Sequence, residues 1–330
     1  MAKKVLLKDI AEEVGVSTAL VSYVLNNKRT NKINPKTAEK IRNTAHKKKY
    51  VPNLIAQSLK AKKTFTIGLI VADISNLFYS HIARYIEEET ERFGYNVLYG
   101  SAYENPERFR KILDVMLSRQ VDGLILAIPE NGEDCIPELK RRKVPFVVID
   151  RQFPNFKDYT SVSLNNYKAS KEVVATFLRN GSRRPGAIGL KTNLHHLKER
   201  ENGFKETARK KLPASSIFLY EVEEASMELE MGALIKRALL KDKLDALCFF
   251  TNKIAMAALP HLLKYKIKIP ERLQIICFDE ASAYSLFPYP IVYVKQPLEK
   301  MSRQAVQCLI GSNKRDLKKN YQFDGELISL

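Results

Sequence analysis

The feature that most constrains this 330-residue chain lies near its start, in the run LLKDIAEEVGVSTALVSYVLN at 6–26. Apolar residues recur at helical spacing up to Val14, and Gly15 follows at once, where a left-handed residue commonly ends a helix. Ser17 is a good N-cap for a second helix, whose inner face includes Val21. The run therefore predicts two short helices joined by a tight turn, a helix-turn-helix.

The charge of the same region indicates a polyanionic partner. Residues 1–63 carry 15 Lys and Arg against 4 Asp and Glu, so most of the net charge of +18 lies in this short segment. The motif alone also fits an ordinary helical hairpin, but charge of this density favours a contact with the phosphate backbone of DNA. In such a contact the second helix enters the major groove. The residues then expected to meet DNA are Ser17, Thr18, Ala19, Ser22, Tyr23 and Asn26.

A third helix should complete an all-α headpiece over residues 1–51. Asn34 and Pro35 form a helix start, with an N-cap followed by proline at the first helical position. The segment 52–63 is different, because it is short, basic at its end and poor in core residues. Alone it should be mostly unfolded in water. On residue type alone, residues 52–63 can be a plain linker.

From Phe65 the pattern changes to alternating apolar runs and helical stretches, as in FTIGLIVAD, DGLILAI and PFVVID. Continuous apolar runs are typical of parallel strands buried on both faces. A second series of the same kind follows from about 165. The expected fold class is α/β, with the helical headpiece followed by two doubly wound α/β lobes over 64–330.

Several classes of protein are disfavoured by what the sequence lacks. It has no apolar run of membrane-spanning length, and its N-terminus does not look like a signal peptide. The four cysteines are scattered without metal-ligand spacing, which indicates reduced core thiols of a cytoplasmic protein. We find no phosphate loop, GxGxxG, HExxH or GxSxG motif, so neither an enzyme nor a cofactor or metal site is expected. His195 and His196 are adjacent, which predicts an exposed loop pair.

A family resemblance runs through nearly the whole chain. The first 79 residues include LLKDIAEEVGVSTALVSYVLNN, TAEKI and KKYVPNLIAQSLKAKKTFTIGLIVADISNLFY. Further on, VDGLILAIP, VPFVVIDR, LDALCFFTN, IPERLQIICFDE and VKQPLEKM follow in order. Together these runs resemble bacterial transcription regulators of the lactose/galactose-repressor (LacI/GalR) family. The series is far more specific than any one motif.

The resemblance implies several further features. The segment 52–63 would be a hinge helix that orders on DNA, with Leu59 wedged into the minor groove. The hinge residues implied as DNA contacts are Asn53, Ala56, Leu59 and Lys60. The two lobes would have the periplasmic-binding-protein architecture, in which the chain crosses between lobes. Lobe 1 would span about 64–164 and 297–323, and lobe 2 about 165–296.

Ligands of parallel sheets bind beyond the carboxyl ends of the strands, so the cleft between two lobes is the expected effector site. A guanidinium and carboxylates converging there suit vicinal hydroxyls, as in a sugar. The candidate residues are Asp73, Asn76, Phe78, Tyr79, Asp150, Arg200, Asn252, Asp279 and Gln296. Other roles stay open, since Arg200 and Asp279 can pair, Asp73 and Asn76 can cap a helix, and the two aromatic residues can belong to the core.

Two positions depart from the family pattern. Lys253 stands where an aspartate is common, so either the effector is acidic or phosphorylated, or this side chain points away. Tyr23 stands where arginine is usual in the recognition helix.

The sequence thus predicts an effector-controlled regulator, expected to be a repressor of sugar transport or catabolism genes. It would bind a pseudo-palindromic operator in double-stranded DNA as a homodimer, in the cytoplasm and without a membrane. Two alternatives are a regulator that responds to a nucleobase, nucleoside or phosphorylated metabolite, and a sugar-binding module without a regulatory role.

Overall fold

The structure, a computed structural model, describes residues 5–27, 32–51, 63–311 and 319–329. The predicted hinge contacts Asn53, Ala56, Leu59 and Lys60 lie outside these residues. The chain divides into two compact units, Met1–Thr64 and Phe65–Leu330.

The first unit is a small helical domain built as its sequence predicts. Its helices are α1 (Leu7–Val14), α2 (Thr18–Leu25) and α3 (Pro35–Lys47). Gly15 ends α1 in the left-handed region with φ 78°, and the Ser17 hydroxyl accepts a hydrogen bond from the Leu20 amide at 3.2 Å. A similar bond from the Lys36 amide to the Asn34 side chain caps α3. Ile10, Val21, Val24 and Ile41 are fully buried, or nearly so, where the three helices meet.

Lobe 1 of the second unit is a six-stranded, wholly parallel sheet in the order β11-β5-β4-β3-β1-β2. Its strands are β1 (Thr66–Val71), β2 (Asn96–Ser101), β3 (Gly123–Leu126), β4 (Phe146–Ile149), β5 (Thr160–Leu164) and β11 (Asn320–Phe323). Its helices are α4 (Leu77–Glu91), α5 (Pro106–Ser118) and α6 (Cys135–Arg141). The central strands are buried on both faces, as continuous apolar runs require.

Lobe 2 repeats this plan with the order β12-β10-β9-β8-β6-β7. Its strands are β6 (Pro185–Leu190), β7 (Phe218–Val222), β8 (Ala246–Phe249), β9 (Gln274–Phe278), β10 (Val292–Lys295) and the antiparallel β12 (Glu326–Ser329). Its helices are α7 (Asn166–Arg179), α8 (His195–Arg209), α9 (Met227–Lys236) with a π-helical turn at Arg237–Lys241, and α10 (Asn252–Lys264). Short 3₁₀ segments lie at Ala214–Ser216 and Ser282–Leu286.

The chain crosses between the lobes more than once. Helix α11 (Leu298–Ile310) leaves lobe 2 and packs against α4 and the lobe 1 sheet. The C-terminal segment, which the sequence assigns to neither lobe beyond 323, then supplies β12 to lobe 2.

All four cysteines are free and buried, and burial raises the pKa of the Cys277 thiol to about 12. No helix in the described part of the chain is long and apolar enough to cross a membrane.

Candidate functional site

Helix α2 presents a polar outer face. Ser17, Thr18, Ala19 and Asn26 are exposed, whereas Ser22 and Tyr23 are half-buried. The Asn26 amide donates to the Ser22 carbonyl at 2.8 Å, which fixes this side chain along the helix end. The exposed residues at the start of α2 are those that a helix of this type brings to base edges.

The second unit has a cavity of about 200 Å³ between its lobes, at the carboxyl ends of both sheets. All nine residues proposed as effector contacts line it, namely Asp73, Asn76, Phe78, Tyr79, Asp150, Arg200, Asn252, Asp279 and Gln296. The volume is below the ~300–1,000 Å³ of pockets for drug-sized ligands, so the cavity suits a small metabolite.

The lobe 2 wall is organised by Arg200 on α8. Its Nη1 lies 3.7 Å from Asp279 Oδ2, and the guanidinium stacks over the Phe278 ring at 4.2 Å. Nε donates to Asn166 Oδ1 at 2.7 Å, while Nη1 also donates to the Phe250 carbonyl. Arg200 and Asp279 do pair, as one sequence interpretation allows, and Arg200 additionally ties α8 to α7 and β8.

Asp279 is also held from the next strand, where Gln296 Nε2 donates to its Oδ1 at 2.6 Å. Burial raises the pKa of Asp279, and the Arg200 charge opposes that rise. Arg200 and Gln296 therefore fix the orientation of the Asp279 carboxylate at the cavity wall.

The lobe 1 wall is built around Asp150 at the end of β4. Its carboxylate accepts a hydrogen bond from the Tyr79 hydroxyl at 2.8 Å and is almost fully buried. Burial raises the pKa of Asp150 to about 6, while Arg151 and the Tyr79 hydrogen bond act in the opposite direction. Arg151 in turn donates to the Ile128 carbonyl at 2.8 Å and to Glu104 at 2.5 Å.

Phe78 and Tyr79 have two roles. Both are buried in the lobe 1 core with their rings edge to face at 4.9 Å, yet both also line the cavity. The helix-capping alternative holds for Asn76, which caps α4 through the Phe78 amide. Asp73 does not cap the helix and instead accepts hydrogen bonds from Ser75 in the loop before it.

Polar contacts between described residues join the lobes at two places across the cavity. Asn252 Nδ2 donates to Asn76 Oδ1 at 3.1 Å. On the other side, Glu130 after β3 accepts from the Thr192 hydroxyl at 2.5 Å and from the Asn193 amide at 2.9 Å. Glu130 is not among the residues predicted from the sequence, since only its position after a buried strand marks it.

Lys253 lines the cavity but is half-exposed and pairs with Glu224. Burial lowers the pKa of Lys253, but the hydrogen bond and charge of Glu224, together with the charges of Asp73 and Glu104, raise it by more, so the lysine stays charged. The other lining cations are also paired, Arg151 with Glu104, Lys191 with Glu223 and Arg200 with Asp279. Every cation of the wall therefore faces a carboxylate before any ligand arrives.

The expectation of an exposed histidine pair was wrong. His195 and His196 form the first turn of α8, and adjacency on a helix turns His196 inward, where it is 7% exposed at the cavity wall. Burial and the nearby Arg151 and Arg200 charges lower its pKa well below the ordinary value, so the imidazole is neutral at pH 7.

Three buried polar atoms of the wall have no hydrogen-bond partner among the described residues. They are His196 Nδ1, Gln296 Oε1 and Arg151 Nε. Unpaired buried polar atoms are uncommon and are usually satisfied by water or a ligand. The described residues contain no group of His, Cys, Asp and Glu placed to hold a metal ion.

Known protein families match segments in both compact units of the chain. A model of bacterial regulatory proteins of the lacI family matches residues 6–53, and a model of a periplasmic binding protein-like domain matches residues 174–320. The chain is 27% identical over 307 residues to catabolite control protein A of Priestia megaterium, which covers 92% of this chain and 91% of that protein.

Solved structures confirm the predicted fold class. The lac repressor dimer bound to operator and the anti-inducer ONPF aligns with a TM-score of 0.86 at 20% identity, over 99% of this chain and 98% of that one. A periplasmic binding protein/LacI transcriptional regulator of Alkaliphilus metalliredigens, complexed with D-xylulofuranose, aligns with a TM-score of 0.69 at 25% identity. That alignment covers 80% of this chain and 97% of the other.

Proposed function

We propose that the chain is a regulator of the lacI family and that it controls transcription as a homodimer on a pseudo-palindromic operator, with a sugar in its cleft. The headpiece supplies the exposed face of α2 and a strongly basic segment, which together suit the major groove and the phosphates beside it. The protein acts in the cytoplasm, where its DNA lies, and works by binding without catalysis.

The hinge part of this proposal concerns residues outside the described ranges. Leu59 enters the minor groove at the centre of the operator, with Asn53, Ala56 and Lys60 beside it, as the family resemblance implies. Leu59, as an apolar wedge, bends the duplex, whereas Lys60 contacts a phosphate.

The ligand class follows from the charge pairing in the cleft. All four lining cations already face carboxylates, so an incoming phosphate or carboxylate would have to displace one of these pairs. The unpaired atoms of His196 and Gln296 belong to neutral side chains, and the unpaired Nε of Arg151 carries one N–H. Each of these atoms can make a hydrogen bond to a ligand. The observation that carries the proposal is that the cations of the wall are paired with carboxylates while three of its buried polar atoms lack a hydrogen-bond partner. Such a wall fits a neutral monosaccharide or a neutral derivative of one.

The same wall supplies a means of control. Asp150 and Asn76 lie on lobe 1, whereas Arg200, His196 and Asn252 lie on lobe 2, so a ligand that contacts both sets favours one angle between the lobes. A ligand shifts such an equilibrium only by its difference in affinity for the two states, typically about 1–3 kcal/mol. The sugar must therefore bind the free and the operator-bound protein with different affinity.

A thermal-shift panel on the full-length protein tests the ligand class. Neutral, acidic and phosphorylated monosaccharides, purines and nucleosides are compared, and a neutral monosaccharide at 100 times its Kd should raise Tm by roughly 5 °C. His196→Phe keeps a ring of similar size but removes the polar atoms, and it should abolish the shift. Lys205→Gln on the same helix is the matched control, because Lys205 does not line the cavity.

Other outcomes test the sugar assignment and the operator-binding proposal separately. Stabilisation by purines, nucleosides or phosphorylated sugars, without any by neutral sugars, would refute the sugar assignment and leave DNA binding untouched. A protein that selects no preferred sequence from random duplexes would refute the operator-binding proposal itself.

A further inference from the structure

The edge of lobe 2 that faces away from the cleft has an unusual composition. In a parallel sheet the strands all begin at the edge opposite the ligand cleft, and the helices between them end there. Four loops lie at this edge, 179–184 before β6, 209–217 before β7, 241–245 before β8 and 264–273 before β9. We call the surface formed by these four loops the distal edge.

Hydrogen bonds connect three of these loops into one surface. The Asp245 carboxylate accepts from the Ser182 hydroxyl at 2.5 Å and from the Arg183 amide at 2.7 Å. Arg184 Nε donates to the Asp242 carbonyl at 3.0 Å. The guanidinium of Arg272, in the loop before β9, donates to the Leu244 carbonyl at 3.4 Å. Side chains from separate parts of the sequence are therefore held side by side.

The distal edge is strongly positive. Its four loops contain 12 Lys and Arg against 3 Asp and Glu. Two of the three acids are turned inward, since Asp245 binds the loop backbone and Asp242 accepts a hydrogen bond from the Tyr220 hydroxyl at 2.7 Å. Seven exposed lysines have no carboxylate within 4 Å among the described residues, namely Lys210, Lys211, Lys241, Lys243, Lys264, Lys266 and Lys268.

Helix dipoles alone do not account for this charge. Basic residues are favoured at helix ends. In lobe 1, one arginine is balanced by one acid at the ends of α4 and α5, Glu91 with Arg92 and Asp122 with Arg119. The end of α6 is basic as well, but there Lys140 pairs with Asp158 and Arg142 with Glu138. In lobe 2, Lys243 and Lys266 moreover adopt φ of 51° and 49°, where glycine or asparagine is the easier residue. The positive charge is present even where the backbone favours another side chain.

We propose that the distal edge is a second DNA-binding surface, which holds the phosphate backbone of a duplex without reading its sequence. Unpaired lysines on flexible stems suit a line of phosphates, whereas lysine is depleted at protein–protein interfaces. The surface lies on the opposite side of lobe 2 from the cleft, so DNA there leaves the cleft open. A molecule held on one duplex by its headpiece captures a second segment through lobe 2.

A bridging measurement on the full-length protein tests this surface. Beads carrying a 40-bp duplex of random sequence are loaded with protein at low salt, and capture of a second, dye-labelled 40-bp duplex is measured per bound protein. The variant K210Q/K211Q/K243Q/K266Q should capture at least about threefold less dye than the wild type, because four phosphate contacts are lost. The matched control K111Q/K143Q/K157Q/K300Q removes the same charge from exposed lysines of lobe 1 and α11 and should capture as much as the wild type.

Amine labelling by mass spectrometry gives an independent result. The duplex should protect Lys210, Lys211, Lys243 and Lys266 from acetylation in the wild type, while Lys111 and Lys300 stay reactive. Equal capture by the two quadruple variants would overturn the proposal. Protection of these lysines by poly-glutamate but not by duplex DNA would also overturn it and indicate an acidic protein as the partner.

Discussion

Asn76 and Asn252 pair their side-chain amides across the cleft, with the Asn252 Nδ2 to Asn76 Oδ1 distance at 3.1 Å and the reverse contact at 3.4 Å. Asn76 caps α4 in lobe 1, and Asn252 begins α10 in lobe 2. The first turns of two helices are thereby joined without a ligand. This pair therefore stabilises one angle between the lobes and must be kept or replaced when a ligand enters.

The first prediction concerns this amide pair. Asn252→Ala removes the contact and should shift the ligand-free lobe equilibrium toward the open form by about twofold to tenfold, the effect of a hydrogen bond of about 0.5–1.5 kcal/mol. Small-angle scattering of the ligand-free protein measures this as a larger radius of gyration. Asn76→Ser is the matched variant, since serine keeps the helix cap but cannot reach across. If both variants scatter like the wild type, the pair does not hold the lobes.

The second prediction is that Arg200 stabilises the fold as well as the ligand site. Arg200→Ala leaves the Asn166 side chain and the Phe250 carbonyl without their donor and leaves Asp279 buried without its cation. The free energy of unfolding should fall by about 2–4 kcal/mol, as measured in urea. Lys205→Ala on the same helix should change it by less than about 0.5 kcal/mol. If the free energy of unfolding of Arg200→Ala equals that of the wild type, Arg200 acts in ligand binding and does not stabilise the fold.

The third prediction is a pH dependence at Asp150. Its pKa is about 6 in the folded protein, above the ~3.9 of an unfolded chain, so its contribution to stability is complete below pH 4 and lost as pH rises through 6. Asp150→Asn removes this loss. The stability of the variant relative to the wild type should therefore increase by about 2 kcal/mol between pH 4.5 and 7.5.

Urea unfolding of both proteins at the two pH values measures this difference. Because the pKa of His196 is lowered in the folded protein, both proteins lose the same stability at this residue as pH falls. This loss cancels in the comparison. A pH-independent difference between Asp150→Asn and the wild type would show that the Asp150 pKa is close to its ordinary value.

The sequence predicted those parts of the structure that depend on neighbours along the chain. Gly15, Ser17 and Asn34 end or cap helices through bonds spanning at most a few residues, and such bonds can be read from residue type. Asp150 and Asp279 reach one cavity because each follows a parallel strand. Topology alone brings such positions together.

The contacts that the sequence did not predict join a loop residue to a residue far away in the chain. Glu130 meets Thr192 across the cleft, and Lys253 meets Glu224, through loop conformations that no periodicity encodes. The inward turn of His196 depends on where α8 begins, one residue earlier. Helix starts are the least certain feature of sequence-based reasoning, and here one such residue decides between solvent and the ligand cavity.

The last prediction concerns the base preference of the headpiece. Thr18 and Ala19 are exposed at the start of α2, and Tyr23 lies one turn further along with its side chain half-buried. An arginine can donate two parallel hydrogen bonds to guanine, whereas tyrosine offers one hydroxyl and alanine only a methyl contact, suited to thymine. Tyr23→Arg should therefore create a preference for guanine at one position of each half-site, worth about 1–3 kcal/mol against the other bases. Selection of binding sites from random duplexes with both proteins measures this, with Glu39→Gln on α3 as a control that should keep the wild-type motif. The same selected motif for wild type and Tyr23→Arg would show that position 23 does not face the bases, and reading would then rest on Thr18 and Ala19 alone.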